Sequence, residues 1–121
     1  MKKAKAMKLV RALRSGEYKQ GTGHLVDNKD NFCCLGVACN ISTSPLEWKR
    51  LWGDWHIGGE WGFLPLSIMR EYGFNTREGD RIDGAPIIIE GKVYQCLTEA
   101  NDEGATFDQI ADYIEKNYKE L

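Results

Sequence analysis

No apolar run in this 121-residue sequence approaches the ~18 residues a helix needs to cross a bilayer, so a membrane is not an expected partner. The opening MKKAKAMKLVRALRSGE is basic but lacks the apolar stretch of about 7–15 residues that marks a secretory leader. Prolines number only three against thirteen glycines, which speaks for tight turns and against Pro-rich disorder. Histidine is limited to His24 and His56. The four cysteines (Cys33, Cys34, Cys39, Cys96) lack the paired C-x₂₋₄-C spacing of a structural zinc site, so neither a metal nor another cofactor is expected. Two of them are adjacent and there is no leader, so all four are read as reduced thiols in a cytoplasm. The glycines of Gly21-Thr22-Gly23 lack both the G-x-G-x-x-G spacing and the Lys-Ser/Thr pair of a phosphate loop.

What is present fits one domain with one core. Hydrophobic residues make up 42% of the chain and charged residues 28%, ordinary values for a globular protein. Net charge is −2 but unevenly spread. Lys2, Lys3, Lys5, Lys8, Arg11, Arg14 and Lys19 crowd the start, and acids dominate from Glu99 onward. Two solvated helix faces that attract each other across the fold account for this pattern. A negative net charge disfavours binding to a phosphate backbone, and nucleic acid is not an expected partner.

Periodicity predicts an amphipathic helix over about Lys3 to Arg14, with Ala6, Leu9, Val10 and Leu13 on one face and Gly16 closing it. Short strands are expected around Tyr18 and Leu25-Val26. FCCLGVACNI predicts a helix over about 32–41, capped by Asp30 or Asn31 and apolar nearly all round, hence buried. Gly36 in its middle costs about 1 kcal/mol of helix propensity, which implies a neighbour packed close against the backbone. Ser44-Pro45-Leu46-Glu47 has the form of a capping box and predicts a helix to about Trp52, with Trp48 and Trp52 on one face. Further short helices are expected over Pro65 to Tyr72 and in LTEANDEG. PIIIEGKVYQCL predicts a β-hairpin at about 86–95. Thr106 to Gln109 is a capping box that starts a helix over about Phe107 to Lys116. The expected class is therefore α+β, a small single domain with amphipathic terminal helices, a buried central helix and short antiparallel strands.

Three chemistries compete. Cys33 and Cys34 lie at a helix start, where a thiolate is favoured, and Cys34 with His56 would be the pair for a cysteine hydrolase. Small apolar core residues are the simpler account of these thiols. The second possibility is a binding pocket for a small nucleotide-like ligand. Tyr18, Lys19, Gln20 and Gly21 would line it with Trp55 and Trp61 as stacking surfaces, Arg81 for phosphate, and Asn101 and Asp102. The third is a protein-binding surface anchored on the tryptophan-rich loop, since aromatics concentrate at binding hot spots.

ALRSGEYKQGTGHL (12–25), FCCLGVACNI (32–41) and LTEANDEGATFDQIADYIE (97–115) together resemble a family of small proteins encoded by tailed bacteriophages and prophages. Members of that family look like ALRSG-x-YKQG-x-G-x-L, then FCCLGV-x-C, then a closing LNDEG-x-x-F-x-x-IA-x-x-IE. Ala100 departs from the pattern, standing where a larger apolar residue is usual. The resemblance implies expression in the cytoplasm of an infected bacterium and carries over no catalytic residue. Its implied role is an accessory binding protein, non-enzymatic, that sequesters a host-defence signalling ligand. The alternative is an inhibitor of a host protein. A homo-oligomer is compatible with either.

Overall fold

The computed structural model describes residues 1–121. In chain order the elements are α1 (Lys3–Arg14), α2 (Cys34–Asn40), β1 (Trp48–Leu51), β2 (Asp54–Ile57), α3 (Leu66–Tyr72), β3 (Ile87–Ile89), β4 (Lys92–Tyr94), α4 (Leu97–Asp102) and α5 (Phe107–Asn117). A 3₁₀ turn, Tyr118–Glu120, follows α5. The two antiparallel hairpins, β1–β2 and β3–β4, form separate two-stranded sheets. The class is α+β, and no helix is long and apolar enough to cross a membrane.

The terminal helices pack side by side. α1 buries Ala6, Leu9, Val10 and Leu13, the face its spacing predicts, and Gly16 takes a positive φ of 76° just beyond its end. α5 opens on a full capping box. The Thr106 hydroxyl accepts from the Gln109 amide at 3.2 Å, and the Gln109 side chain accepts from the Thr106 amide at 3.0 Å. Basic and acidic faces meet where Arg14 reaches Asp112 (2.5 Å) and Glu115 (3.1 Å). These pairs are solvent-exposed, so each is worth at most about 1 kcal/mol, and the apolar seam holds the helices together.

α2 lies in the core, and every residue from Cys34 to Cys39 is buried. Gly36 is what lets it sit there. A Cβ at this position would lie 1.9 Å from the carbonyl oxygen of Leu25. That carbonyl also accepts the Cys33 amide at 3.0 Å, so the approach is locked by a backbone hydrogen bond. The helix starts two residues later than its sequence suggests. Its cap is Cys33, whose sulfur accepts from the Gly36 amide at 3.3 Å, and not Asp30 or Asn31. Phe32 is withheld from the helix because its backbone bridges Gln20 on one side and Val26 on the other. The short strands expected around Tyr18 and Leu25-Val26 are reduced to these single bridges.

The second departure is larger. Residues 48–57 form a hairpin, where a helix to Trp52 was expected. Its register pairs Trp48 with Ile57 and Leu51 with Asp54. The Ser44 hydroxyl accepts from the Leu46 amide (3.3 Å) in a local turn and caps no helix. Trp52 and Gly53 carry positive φ values of 49° and 87°, as the two central residues of a type I′ turn must. Alternation then sends Trp48, Arg50, Trp55 and Ile57 to one face and Lys49, Leu51, Asp54 and His56 to the other.

α3 is tied to the core by the Tyr72 hydroxyl, which donates to the Ala38 carbonyl at 2.8 Å. Its Glu71 carboxylate accepts from Lys5 (3.3 Å) and from the Thr43 amide (3.0 Å). Burial alone would push this carboxyl up, but the Thr43 amide and the Lys5 ammonium outweigh it and hold the group below its ordinary value of 4.5. The folded state thus binds this proton less readily than the unfolded chain. The resulting stability is present above about pH 4.5 and fades as the pH falls through the folded value. Glu71→Gln is expected to flatten the acid limb of a stability–pH curve from chemical denaturation, with less effect on its shape above neutrality.

Candidate functional site

Four of the residues expected to bind a ligand converge, and they bond to one another. Asn101 on α4 is the only buried polar side chain. Its Oδ1 accepts from the Cys34 amide (3.1 Å) and from Gln20 Nε2 (2.9 Å), and its Nδ2 donates to the Gly21 carbonyl (2.9 Å) and to Asp102 Oδ1 (3.1 Å). Both donors and both acceptor positions of the amide are thereby used. The Gln20 amide is consumed as well, donating to the Ala105 carbonyl (2.8 Å) and accepting from the Phe107 amide (3.1 Å). Asp102 accepts from the Gly23 amide (3.1 Å). This knot pins the 20–23 segment to the start of α2, the end of α4 and the start of α5.

The remaining residues of that set lie elsewhere. Lys19 exposes its side chain and joins the fold through its carbonyl, which accepts from the Phe32 amide (2.8 Å). Arg81 grips Asp83 through two bonds (3.0 and 2.7 Å) and donates to the Tyr113 hydroxyl (3.0 Å), on the side where α5 meets the chain's end. Trp61 packs against His24 with ring centroids 5.1 Å apart.

Tyr18 and Trp55 belong to a separate aromatic cluster beneath the first hairpin. Tyr18 meets Phe32 edge-on at 5.0 Å, and Phe32 meets Trp48 edge-on at 6.3 Å. Asn40 stitches the outer members, accepting from Trp48 Nε1 (3.2 Å) and donating to the Tyr18 hydroxyl (2.9 Å). Trp55 Nε1 donates to Asp30 (2.9 Å), whose φ of 63° is held in the left-handed region. The Arg50 guanidinium covers the Trp55 ring at 5.2 Å. Between these side chains is a cleft of about 180 Å³, lined by Val26, Asp30, Phe32, Asn40, Trp48 and Trp55. Small-molecule sites usually enclose about 300–1,000 Å³, so this cleft takes a side chain more readily than a nucleotide.

The cluster fixes the base of the hairpin, and its tip projects freely. Trp52 is 100% exposed. A non-glycine residue at positive φ carries backbone strain on the order of 1 kcal/mol, and here no intramolecular side-chain contact offsets it. Leu51 beside it is also exposed, as are Trp61 and Phe63 in the following loop.

All four thiols are free and buried. Burial pushes Cys33 up to about 11 and raises Cys34, Cys39 and Cys96 as well. Cys34 points its sulfur at the Leu97 carbonyl (3.7 Å), whereas the His56 ring bonds to the Asp54 carbonyl (3.1 Å) on the hairpin. A Cys34–His56 pair is not assembled. Ellman's reagent is expected to find no fast thiol in the native protein near neutral pH and four after denaturation. A single fast native thiol would restore a covalent mechanism.

A family model described as a domain of unknown function (DUF8296) matches residues 1–118. The chain belongs to that family. No curated protein matches it, and no solved structure does. The family's description states no activity, so the functional reading rests on the geometry above.

The exposed turn position of Trp52 was not foreseen from the sequence, because the apparent capping box at Ser44 made 48–52 look helical. A signal for it existed. Trp-Gly stands between two four-residue segments, WKRL and DWHI, and glycine at the second position of a two-residue loop is a hairpin mark.

Proposed function

We propose that this protein is a non-enzymatic binding module whose β1–β2 hairpin inserts Trp52 into an apolar socket on a partner protein. The observation that carries this reading is a fully exposed tryptophan held at positive φ on the tip of a hairpin whose base is locked by packed aromatics. An exposed indole forgoes burial worth on the order of 3 kcal/mol, and a rigid base lowers the ordering cost of docking it. Tryptophan is also the residue type most enriched at binding hot spots. The resemblance to phage-encoded proteins supports a bacterial host protein as the partner, and inhibition by occupying its socket as the effect.

A nucleotide-like ligand is the less supported reading. The amides that would recognise it, those of Gln20 and Asn101, are committed within the chain, and Arg81 lies on another face. Affinity capture from bacterial lysate with the wild type and with Trp52→Ala should identify a protein retained only by the wild type. Titration of that purified protein is then expected to show Trp52→Ala binding about 30-fold or more weaker, the loss typical of a hot-spot tryptophan. Equal affinity of the two would refute the reading.

A further inference from the structure

The cleft at the base of the first hairpin combines aromatic walls with one carboxylate. Phe32 and Trp48 stand at right angles, their ring planes at 90° and their centroids 6.3 Å apart, and so form a corner. Trp55 supplies a third aromatic wall, and buried Val26 also lines the space. Asp30 is set at this cleft by two constraints. Its backbone is held at a φ of 63°, and its Oδ1 accepts from Trp55 Nε1 at 2.9 Å. Its Oδ2 accepts no hydrogen bond, and the carboxylate has no ion-pair partner within the chain.

An aromatic face attracts a cation through its quadrupole, and a carboxylate beside it adds a full opposite charge. The chain already uses Trp55 in this way, with the Arg50 guanidinium 5.2 Å from the ring centroid. That guanidinium is held by the Gly53 and Asn28 carbonyls (3.2 and 3.0 Å) and does not line the cleft, so the cleft is not its seat.

We propose that this cleft binds a trimethylammonium group. Its volume of about 180 Å³ admits a compact cationic head and no ligand of nucleotide size. Hydrogen-bond capacity selects among the cations that fit. A primary ammonium brings three N–H donors and a guanidinium five. Asn40 is engaged on both sides, its Oδ1 by Trp48 Nε1 (3.2 Å) and its Nδ2 by the Tyr18 hydroxyl (2.9 Å). Among the lining side chains, Asp30 Oδ2 is the acceptor left without a partner, so most of those donors would be desolvated and unpaired. A quaternary ammonium has no N–H at all and needs only aromatic faces and a counter-charge. The site is separate from the Trp52 tip, and neither reading depends on the other.

Choline and a short peptide carrying trimethyllysine are the two probes, one standing for a free compound and the other for a modified side chain. Each is titrated into the full chain at constant ionic strength while NMR follows the indole N–H resonances. Saturable shifts are expected at Trp48 and Trp55, with a Kd of about 1 mM for at least one probe. The tighter of the two names the source. Dimethylbutanol, the uncharged carbon isostere of choline, should bind about tenfold more weakly or worse, and so should the same peptide with unmodified lysine. Asp30→Asn keeps the size of the side chain and the acceptor for Trp55, and asparagine tolerates the left-handed backbone. This variant should keep its melting temperature and lose about fivefold or more in affinity. Five results would overturn the proposal: no saturable shift with either probe, shifts confined to Trp52, equal binding of the uncharged isostere, equal binding of the unmodified peptide, or a folded Asp30→Asn variant that binds as the wild type does.

Discussion

Replacing Gly36 with alanine is expected to destabilise the protein by about 3 kcal/mol or more, enough to lower its melting temperature by roughly 10 °C. Two effects oppose each other. Alanine in a helix interior is favoured over glycine by about 1 kcal/mol. The new methyl, however, would stand 1.9 Å from the Leu25 carbonyl oxygen and 2.7 Å from its carbon. Neither atom is the far end of a flexible side chain. That carbonyl is fixed by the Cys33 amide, and the Leu25 amide is fixed in turn by the Trp61 carbonyl at 2.7 Å. Relief requires moving α2 away from the 25–26 segment, which opens the centre of the core. Gly62 provides the control, since no neighbouring heavy atom lies within 4 Å of a Cβ there and its φ is not positive. Gly62→Ala should be close to neutral. Chemical denaturation of the two variants measures the contrast, and equal small effects would show that α2 is not seated against Leu25.

Asn101→Ala should cost a similar amount, about 3–5 kcal/mol, for a different reason. Truncation leaves the Cys34 amide, the Gly21 carbonyl and one Gln20 bond without a partner, and each buried orphan costs about 1–3 kcal/mol. Water entering the space offsets part of that sum. Asn101→Asp is the more diagnostic change. It keeps an acceptor for Cys34 and Gln20 but loses both donors, and it sets a second carboxylate against Asp102, whose Oδ1 now accepts from the Asn101 amide at 3.1 Å. Like charge and burial both raise the new carboxyl above its unfolded value. Its destabilisation is therefore full at neutral pH and is relieved as the pH falls through that raised value. Stability that rises on mild acidification in Asn101→Asp, but not in Asn101→Ala, would identify the knot as a structural fastening.

These contrasts show why some of the molecule was legible in the sequence and some was not. α1 and α5 are amphipathic over three turns and bounded by local signals, Gly16 and the Thr106–Gln109 box, so short-range rules suffice for them. Gly36 was legible because a glycine inside an apolar helix carries a propensity cost that only a close neighbour explains. The 44–57 stretch misled because its cues conflict. Ser-Pro-x-Glu favours a helix, while Trp-Gly between alternating segments favours a hairpin. Packing of Trp48 against Phe32, sixteen residues earlier, sides with the hairpin, and no local window contains that contact. For the Gln20 and Asn101 amides, composition announced polar groups able to recognise something. That they recognise each other across 81 residues of chain is a tertiary fact.

The central claim is that this chain acts through the tip of its first hairpin and not through the polar knot. Site-specific photo-crosslinking tests it most directly. A photoreactive aromatic residue is introduced in place of Trp52 in one version and at exposed Asp102 in another, and each is irradiated in bacterial cells. The account predicts one discrete covalent adduct with the partner protein from position 52 and none from position 102. An adduct from position 102 with none from position 52 would contradict it.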